Sequence, residues 1–420
     1  DKLVAIDPKL KSYDQSTSPY YTIFVNVPID MELEAKEANS QVGENTYEIM
    51  WGLPQDIILS KLPCFVPKHH WKKVEELQTY QEVVQSLRKK GRAKHLLLGN
   101  GFSMAYDAKI FSYNALSAFI ENSEDELLKQ LFNSINTKNF EIIMQQLDLF
   151  ANVAQVFNAD KELIDKIKHT SETLKNSLID AVKAMHPEHV FKIPEEKNAA
   201  CCTFLEDYLV NDGYVFSSNY DLLLYWVLMR NTCKNAGDGF GREVENPLGD
   251  EYVPDYEPEY SELRWGKNKD SQSVFYLHGA LPLFDTGIDI IKEEYNGDYL
   301  LDNIKARMEK KEYPIFVTAG NANEKLTHIM HNKYLSFCFD KFSSIKGSLI
   351  TFGFNFGDND THIIEAINIA ANQGKKAQDK LWSVYIGVYS DADLMHIEKI
   401  KTKFKCKVNL YNAKTTNVWQ

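Results

Sequence analysis

The chain has 420 residues, of which 44% are hydrophobic, 25% are charged and 12% are aromatic. This composition excludes a disordered chain and a fibrous repeat, and the length favours two or three compact units. The 47 basic and 59 acidic residues give a net charge of −12. That charge repels a polyphosphate backbone except where a local basic patch overrides it, so we expect no direct nucleic-acid binding by this chain.

The cysteines predict reduced thiols and no metal site. No two of them have the CxxC spacing that lets two thiolates reach one metal ion, and they are too dispersed to form a compact disulfide framework. No apolar run reaches the roughly 18 residues of a membrane span, and the first residues lack the hydrophobic core of a secretory signal. We therefore expect a cytoplasmic protein. The cysteines are at positions 64, 201, 202, 233, 338 and 406.

The first half of the chain predicts one helix, one strand and a helical insertion. Residues 1–75 contain a strand-like run, YYTIFVNV, but no pattern that assigns their role. An amphipathic pattern from Trp71 to Arg92 predicts a helix that ends near Gly91. The wholly apolar run Leu96 to Leu98 predicts a strand buried on both faces of a parallel sheet. From about 115 to 210, amphipathic segments predict a helical insertion.

The second half predicts an α/β fold. Short apolar strands alternate with helices at DLLLYWVLM, THIIEAINIAANQ and ADLMHIEKIKTKF, which indicates a doubly wound, mostly parallel Rossmann-like sheet. The segment 234–272 is rich in Gly, Pro, Tyr and acidic residues, and it indicates a solvated loop or, alternatively, a lid or docking loop. The predicted strands are Tyr214 to Ser217, Val274 to Leu277, Ser348 to Phe352, Trp382 to Val388 and Val408 to Tyr411.

The loop after the first strand, GNGFS, is a candidate anion site. Gly99 and Gly101 allow a pyrophosphate to approach the backbone, and Asn100 and Ser103 add polar groups. The third glycine of the dinucleotide fingerprint is missing. An ordinary turn between a strand and a loop is the alternative.

Two further loops carry polar residues at strand ends. In SNYD, Asn219 and Asp221 lie where a strand leads into a helix, so Asp221 is either a helix cap or a site residue. In LHG, His278 follows an apolar strand and precedes a glycine that clears space, which suits a general base. A core histidine is the alternative.

A fourth loop, GFNFGDNDTHI, contributes Gly353, Asn355, Asp360 and His362 before an amphipathic helix. Asp360 alone could be a helix cap. All four loops follow strands of one parallel sheet, however, and such sheets bind ligands at the carboxyl ends of their strands. We therefore expect the four loops to form one crevice.

The ordered motifs GNGFS, SNYD, LHG and GFNFGDNDTHI resemble the sirtuin-like NAD-binding domains of bacterial antiphage defence, over roughly residues 90–412. The resemblance implies a phosphate-binding loop at Gly99, Gly101 and Ser103. It also implies that His278 is the catalytic base, with Asn219 and Asp221 beside the nicotinamide ribose. Gly353, Asp360 and His362 would bind the adenosine side, and Asn355 stands where related proteins often have serine.

The resemblance implies an NAD+ glycohydrolase that releases nicotinamide and ADP-ribose, with NAD as substrate and no metal. It further implies a homo-oligomer that works with a HerA-like hexameric ATPase. A regulatory subunit that binds NAD or ADP-ribose without turnover is the alternative. Deacylase activity is disfavoured because the paired cysteines of the deacylase zinc module are absent. Nuclease activity is not favoured either, because the net negative charge does not attract a nucleic acid. The expected organisation is residues 1–75, a sirtuin-like domain at 76–412 and a tail at 413–420.

Two histidine pairs are not expected to form sites. His328 and His331 lie three residues apart on one helix, without a third ligand at a suitable spacing, so a helix surface or core position is expected. His69 and His70 are adjacent and need not converge.

Overall fold

The chain divides into the units Asp1–Trp71 and Lys72–Gln420, and only the second contains residues with a described structure. The computed structural model describes residues 73–108, 130–131, 134, 140–185, 190–210, 212–230, 233–246, 256–294, 300–309, 312, 314–317, 321–372 and 380–420. The strand-like run YYTIFVNV and the pair His69 and His70 lie outside these residues, as does the start of the predicted helical insertion.

The predicted α/β fold is confirmed by a seven-stranded sheet in which every neighbouring pair of strands is parallel. The strand order is β1-β12-β11-β10-β2-β3-β6. The central strand β2 is buried along its whole length. This confirms the burial predicted for the apolar run Leu96 to Leu98, and the strand also includes Lys94 and His95. The strands are β1 (Gln78–Thr79), β2 (Lys94–Leu98), β3 (Val215–Ser217), β6 (Val274–Tyr276), β10 (Gly347–Phe352), β11 (Leu381–Val388) and β12 (Lys407–Asn412).

The order of the strands fixes where a ligand crevice opens. From β2 the chain proceeds outward through β3 and β6 on one side, and through β10, β11 and β12 on the other. The direction therefore reverses between β2 and β10. At such a switch point the loops after the two strands diverge and leave a crevice at their carboxyl ends.

A second, antiparallel sheet has the order β4-β5-β8-β7-β9. The segment 234–272, for which the sequence predicts a solvated loop, contains the strands β4 and β5. The sequence does not predict these strands, because two and three residues are too short to show an alternating pattern. Part of the acidic stretch between them lies outside the described residues. The strands are β4 (Phe240–Gly241), β5 (Leu263–Trp265), β7 (Gly279–Asp285), β8 (Ile290–Lys292) and β9 (Pro314–Phe316).

The helices of the described residues cover the parallel sheet and form the insertion, in which α3 and α4 pack against each other. The first helix begins at Tyr80 rather than near Trp71, because Thr79 and Glu82 form a capping box there. The helices are α1 (Tyr80–Lys89), α2 (Gly101–Tyr106), α3 (Phe140–Val156), α4 (Lys161–Met185), α5 (Glu195–Glu206), α6 (Leu223–Arg230), α7 (Leu300–Glu309), α8 (Ala322–His331), α9 (Lys333–Ser343), α10 (Thr361–Asn372) and α11 (Asp391–Ile400).

One pair of cysteines differs from the prediction of reduced thiols. Cys202 of α5 and Cys233 after α6 are joined by a disulfide, with Cα atoms 5.9 Å apart. The expectation of reduced thiols is wrong for this pair, because the packing of α5 on α6 brings together two cysteines that are 31 residues apart in sequence. Cys201, Cys338 and Cys406 are free. Within the described part of the chain, no helix has the length and apolar character needed to cross a membrane.

Candidate functional site

A cavity of about 1070 Å³ opens at the carboxyl ends of the parallel strands, where the sequence predicts a crevice. It is lined by eight of the predicted site residues, which come from the loops after β2, β3, β6 and β10. Gly99, Ser103 and His362 do not line it. The lining residues that the sequence predicts are Asn100, Gly101, Asn219, Asp221, His278, Gly353, Asn355 and Asp360.

The glycines at the switch point bring two loops into direct backbone contact. The Gly101 amide donates to the Gly353 carbonyl at 2.9 Å, and the Gly99 amide donates to the Phe352 carbonyl at 3.0 Å. A Cβ atom on Gly101 would lie 2.5 Å from the Gly353 Cα atom, and Gly353 has a φ of +69°. The sequence predicts that these glycines permit the approach of a phosphate. In the structure they first permit the two loops to approach each other.

A buried hydrogen-bond network joins the loop after β2 to the loop after β3. The Ser103 hydroxyl donates to Asp221 Oδ2 at 2.5 Å and accepts from Asn219 Nδ2 at 3.1 Å. Asn219 Nδ2 also donates to the Gly99 carbonyl at 3.0 Å. The other oxygen of Asp221 accepts from the Leu223 amide at 2.9 Å, which caps the start of α6.

The network decides which atoms can contact a ligand. Ser103 is fully buried and its hydroxyl is used within the protein, so the predicted phosphate contact is not available to it in this structure. Both hydrogens of the Asn219 amide point into the network, which leaves Oδ1 as its atom for a ligand. Burial raises the pKa of Asp221, and the hydrogen bond from Ser103 partly offsets that effect. Asp221 therefore caps α6, connects the loops after β2 and β3, and lines the cavity.

His278 and His362 form a buried pair with 2.9 Å between their Nε2 atoms. His278 follows β6 and lines the cavity, whereas His362 lies behind it in the first turn of α10 and is 1% exposed. The resemblance to sirtuin-like domains implies a position for His362 on the adenosine side of a ligand. The structure instead places it against the predicted base, because α10 starts at the switch point and turns this side chain inward.

Burial sets the charge state of both histidines. It lowers the pKa of His278 well below 6.5, and the neighbouring His362 and Lys325 act in the same direction. Burial also lowers the pKa of His362 to about 4, although the nearby Asp360 carboxylate opposes this. Both rings are therefore neutral at pH 7. One Nε2 atom donates the shared hydrogen bond and the other accepts it.

A buried cation stands beside the histidine pair. Lys325 of α8 is 1% exposed, and its Nζ atom lies 3.1 Å from Asp360 Oδ1. The sequence gives no signal for Lys325, because a single lysine in an amphipathic helix is usually a surface residue. His328 and His331, on the same helix, are exposed as expected, and His331 Nδ1 bonds to the Thr327 carbonyl at 2.7 Å.

Two groups of described residues bring together side chains that could hold a metal ion. His278, Asp360 and His362 have ligand atoms within 4.8 Å of one another, and so do Cys202, Glu206 and Cys233. The Asp360 carboxylate is paired with Lys325 and the two cysteines form a disulfide. A metal ion would have to displace these partners.

The far end of the cavity is built by residues that the sequence analysis did not single out. They lie at the end of β11 and after β11 and β12, whose carboxyl ends open on the same edge of the sheet. The predicted terminal strand indicates that its following loop also lies at this edge, but the sequence predicts only a tail at 413–420. These residues are Gly387, Tyr389, Asp393, Ile397, Ala413, Lys414, Thr416, Val418, Trp419 and Gln420.

Trp419 fixes the last residues against the first loop. Its Nε1 atom donates to the Phe102 carbonyl at 3.0 Å. Its ring packs on Phe102 and Tyr106, with centroid distances of 4.9 and 5.1 Å. The segment 413–420 is therefore a wall of the cavity rather than a separate tail.

Comparison with known proteins gives a family without an assigned activity. Residues 96–419 match the model of a family described as "Domain of unknown function (DUF4917)". No curated protein matches the chain. The matched region runs from Leu96, the third residue of the buried strand β2, to Trp419, and it includes the loops after β2, β3, β6 and β10 that line the cavity. The chain belongs to the family described as "Domain of unknown function (DUF4917)".

Proposed function

We propose that this protein is an NAD+ glycohydrolase, which breaks the bond between nicotinamide and ribose to give nicotinamide and ADP-ribose. The observation that carries the proposal is the placement of Asn219 and His278 in one cavity at the switch point of a parallel sheet. Sheets of this kind bind dinucleotides across that point. The ordered motifs that resemble sirtuin-like NAD-binding domains add support.

The extent of the cavity fits an elongated ligand. Its lining runs from His278, after β6, to Lys414, after β12, which are five strand spacings apart in the sheet. At about 4.8 Å per spacing this is about 24 Å. In our proposal nicotinamide and its ribose lie near Asn219 and His278. The pyrophosphate lies at Asn100, Gly101 and Gly353, and the adenosine lies toward β11 and β12.

The proposed reaction needs one bond cleavage and one proton acceptor. The bond between the ribose C1′ atom and the pyridinium nitrogen breaks, and its electron pair neutralises the ring. Positive charge develops on the ribose, and water attacks C1′ while His278 accepts its proton. Asn219 Oδ1 accepts a hydrogen bond from the water or from a ribose hydroxyl.

The neutral state of the histidine pair supports this assignment. The substrate ring is cationic and the transition state places positive charge on the ribose, so a protonated histidine at this place would repel both. His278 and His362 add no positive charge at pH 7, since burial lowers both pKa values. His362 orients the His278 ring through the Nε2 contact. The Nδ1 atom of His278 is then the atom that can accept a proton from water in the cavity.

The test is to follow NAD+, nicotinamide and ADP-ribose by chromatography with the purified full chain, alone and with the product of its neighbouring gene. Asn219→Ala and His278→Ala should each abolish turnover while circular dichroism shows a folded protein. His331→Ala is the matched control, because this histidine is exposed on α8. Unchanged turnover in either site variant would refute the role given to that residue. Tight binding of ADP-ribose without any turnover would instead identify a regulatory subunit.

We also propose that the protein acts in the cytoplasm as a homo-oligomer in antiphage defence, together with a HerA-like hexameric ATPase. The resemblance is the main support. In addition, apolar side chains on one face of α3 and just after it are exposed: Leu149, Phe150, Val153, Val156 and Phe157. Light scattering should give a mass well above 48.3 kDa, and mixing with the ATPase should change NAD turnover. A fully active monomer whose NAD turnover does not change on mixing with the ATPase would contradict this proposal.

A further inference from the structure

The edge of the parallel sheet opposite the cavity is strongly basic. The described segments 88–93, 341–346, 380 and 398–407, which lead into β2, β10, β11 and β12 and include the first residue of β12, contain twelve basic residues and one acidic residue, Glu398. In sequence, Asp340 and Asp379 border these segments. We call this surface the amino-edge surface. It consists of Arg88, Lys89, Lys90, Arg92, Lys341, Lys346, Lys380, Lys399, Lys401, Lys403, Lys405 and Lys407.

Most of this positive charge faces solvent without an acidic partner among the described residues. Glu398 is paired with Lys401, and Asp207 of the neighbouring α5 cap is paired with Arg88 and with the buried Lys94. The lysines at 89, 90, 346, 399, 403, 405 and 407 are all exposed. A chain with a net charge of −12 therefore carries a local field of the opposite sign at this edge.

The basic segments are neighbours in space because their strands are neighbours in the sheet. The Gly347 amide donates to the Lys380 carbonyl at 3.0 Å, which joins the starts of β10 and β11. The Ser348 amide donates to the Ala93 carbonyl at 2.9 Å, which joins the starts of β10 and β2. Lys407 is the register partner of Ser383. The four strand starts therefore form one row with a spacing of about 4.8 Å.

An aromatic ring lies within this row. Trp382, the second residue of β11, is 39% exposed. The Arg92 guanidinium lies over this ring at 5.1 Å from its centroid, and the Lys380 ammonium lies over it at 5.6 Å. A base can stack on the guanidinium plane of Arg92 or displace one of these cations from the ring, while the adjacent lysines neutralise the phosphates.

We propose that the amino-edge surface binds single-stranded nucleic acid, with phosphates on the lysines and a base on Trp382. The aromatic ring favours a single strand over an acidic protein surface, because only unpaired bases offer a face for stacking. The net charge disfavours nucleic-acid binding except at a local basic patch, and the fold assembles such a patch from four separate segments. The inference does not rest on the proposed NAD chemistry, which takes place at the other edge of the sheet.

The test measures fluorescence anisotropy of a labelled 20-nucleotide oligothymidylate with the full chain between 50 and 200 mM salt. A triple variant, Lys403→Glu, Lys405→Glu and Lys407→Glu, should weaken binding at least tenfold at 50 mM salt. It should also reduce the slope of log K against log salt by about 2, since each phosphate contact on a single strand contributes about 0.7. Trp382→Ala should weaken binding about fivefold or more through lost stacking.

The matched control is Lys161→Glu, Lys166→Glu and Lys168→Glu on α4, which makes the same charge change at exposed lysines far away in sequence. Its affinity should stay within twofold of the wild type. Oligouridylate should compete with oligothymidylate, and a duplex of equal length should compete less. The proposal is overturned if the wild type does not bind at 50 mM salt or if both triple variants lose affinity equally. It is also overturned if polyglutamate competes as well as the oligonucleotide and Trp382→Ala has no effect.

Discussion

The contact between Ser103 and Asp221 predicts a measurable coupling between the first two loops of the site. Ser103→Ala removes the hydroxyl that donates to Asp221 Oδ2 at 2.5 Å and leaves that oxygen buried without its donor. Asp221→Ala removes the same hydrogen bond and also the cap on the Leu223 amide. The two substitutions therefore share one interaction. Asp221→Ala has the larger additional cost, because Ser103→Ala otherwise removes only the acceptor of one Asn219 Nδ2 hydrogen, and that amide keeps its bond to the Gly99 carbonyl.

The magnitudes follow from these contacts. A hydrogen bond to a charged group contributes about 1.5 to 3 kcal/mol, so Ser103→Ala should lower the free energy of unfolding by about 2 kcal/mol. Loss of a helix cap costs about 1 kcal/mol, so Asp221→Ala should lower it by about 3 kcal/mol. In the double variant the shared bond is lost only once. Its cost should be close to that of Asp221→Ala alone, which gives a coupling energy of about 2 kcal/mol.

The assay is equilibrium unfolding in urea at pH 7 for the wild type, both single variants and the double variant. Costs that add within about 0.5 kcal/mol would show that the two side chains do not interact, and the geometry argued for the network would be wrong. NAD turnover measured where every variant is folded separates stability from chemistry. If Asp221 acts only as a cap and link, then Ser103→Ala and Asp221→Ala should reduce turnover to a similar extent.

Three further outcomes follow from the structure. Burial lowers the pKa of His95 and of His362 to about 4, so the unfolded chain binds protons that the folded chain does not. Stability should therefore fall as pH drops below about 6.5, by at most about 1.4 kcal/mol per pH unit for each histidine, until pH approaches 4. A pH-independent free energy of unfolding between pH 6.5 and 4.5 would contradict this. Trp419→Ala should lower the free energy of unfolding by about 3 kcal/mol, because it removes a side chain that packs on Phe102. It should also raise the KM for NAD+, because the same side chain lines the cavity. A loss of less than about 1 kcal/mol in urea unfolding would contradict this role. NAD turnover should survive EDTA, and its loss with recovery on one divalent ion would instead assign a metal to His278, Asp360 and His362.

The sequence predicts the parallel sheet well because its strands are buried on both faces. The run Leu96 to Leu98 is wholly apolar, the run Ser348 to Phe352 has no charged residue, and a glycine marks where each one stops. The sequence does not predict the antiparallel sheet, because its shortest strands contain no continuous apolar run. Its strands β4 and β5 have two and three residues, and their stability comes from packing such as that of Trp265 on Tyr334.

The candidate site was predictable as a set of loops but not as a set of atoms. Parallel strands place Asn219 and His278 on one edge whatever their rotamers, so their meeting in one cavity follows from the fold. The direction of a hydroxyl does not follow, and Ser103 points into the protein rather than into the cavity. Lys325 and Trp419 reach the site from a helix and from the end of the chain through tertiary packing that no local pattern encodes.

The net charge of the chain does not describe the local charge at either edge of the sheet. A value of −12 is a sum over the whole chain, whereas a ligand senses charges within about one Debye length, roughly 8 Å at physiological salt. The carboxyl edge presents the neutral His278 imidazole, the Asn219 amide oxygen and the carboxyl group of Asp360, which suit a cationic ring. The amino edge presents Lys403, Lys405 and Lys407 beside Trp382, which suit phosphates and a base. Each strand of a parallel sheet starts at one edge and ends at the other, so one fold can keep two sites of opposite chemistry apart.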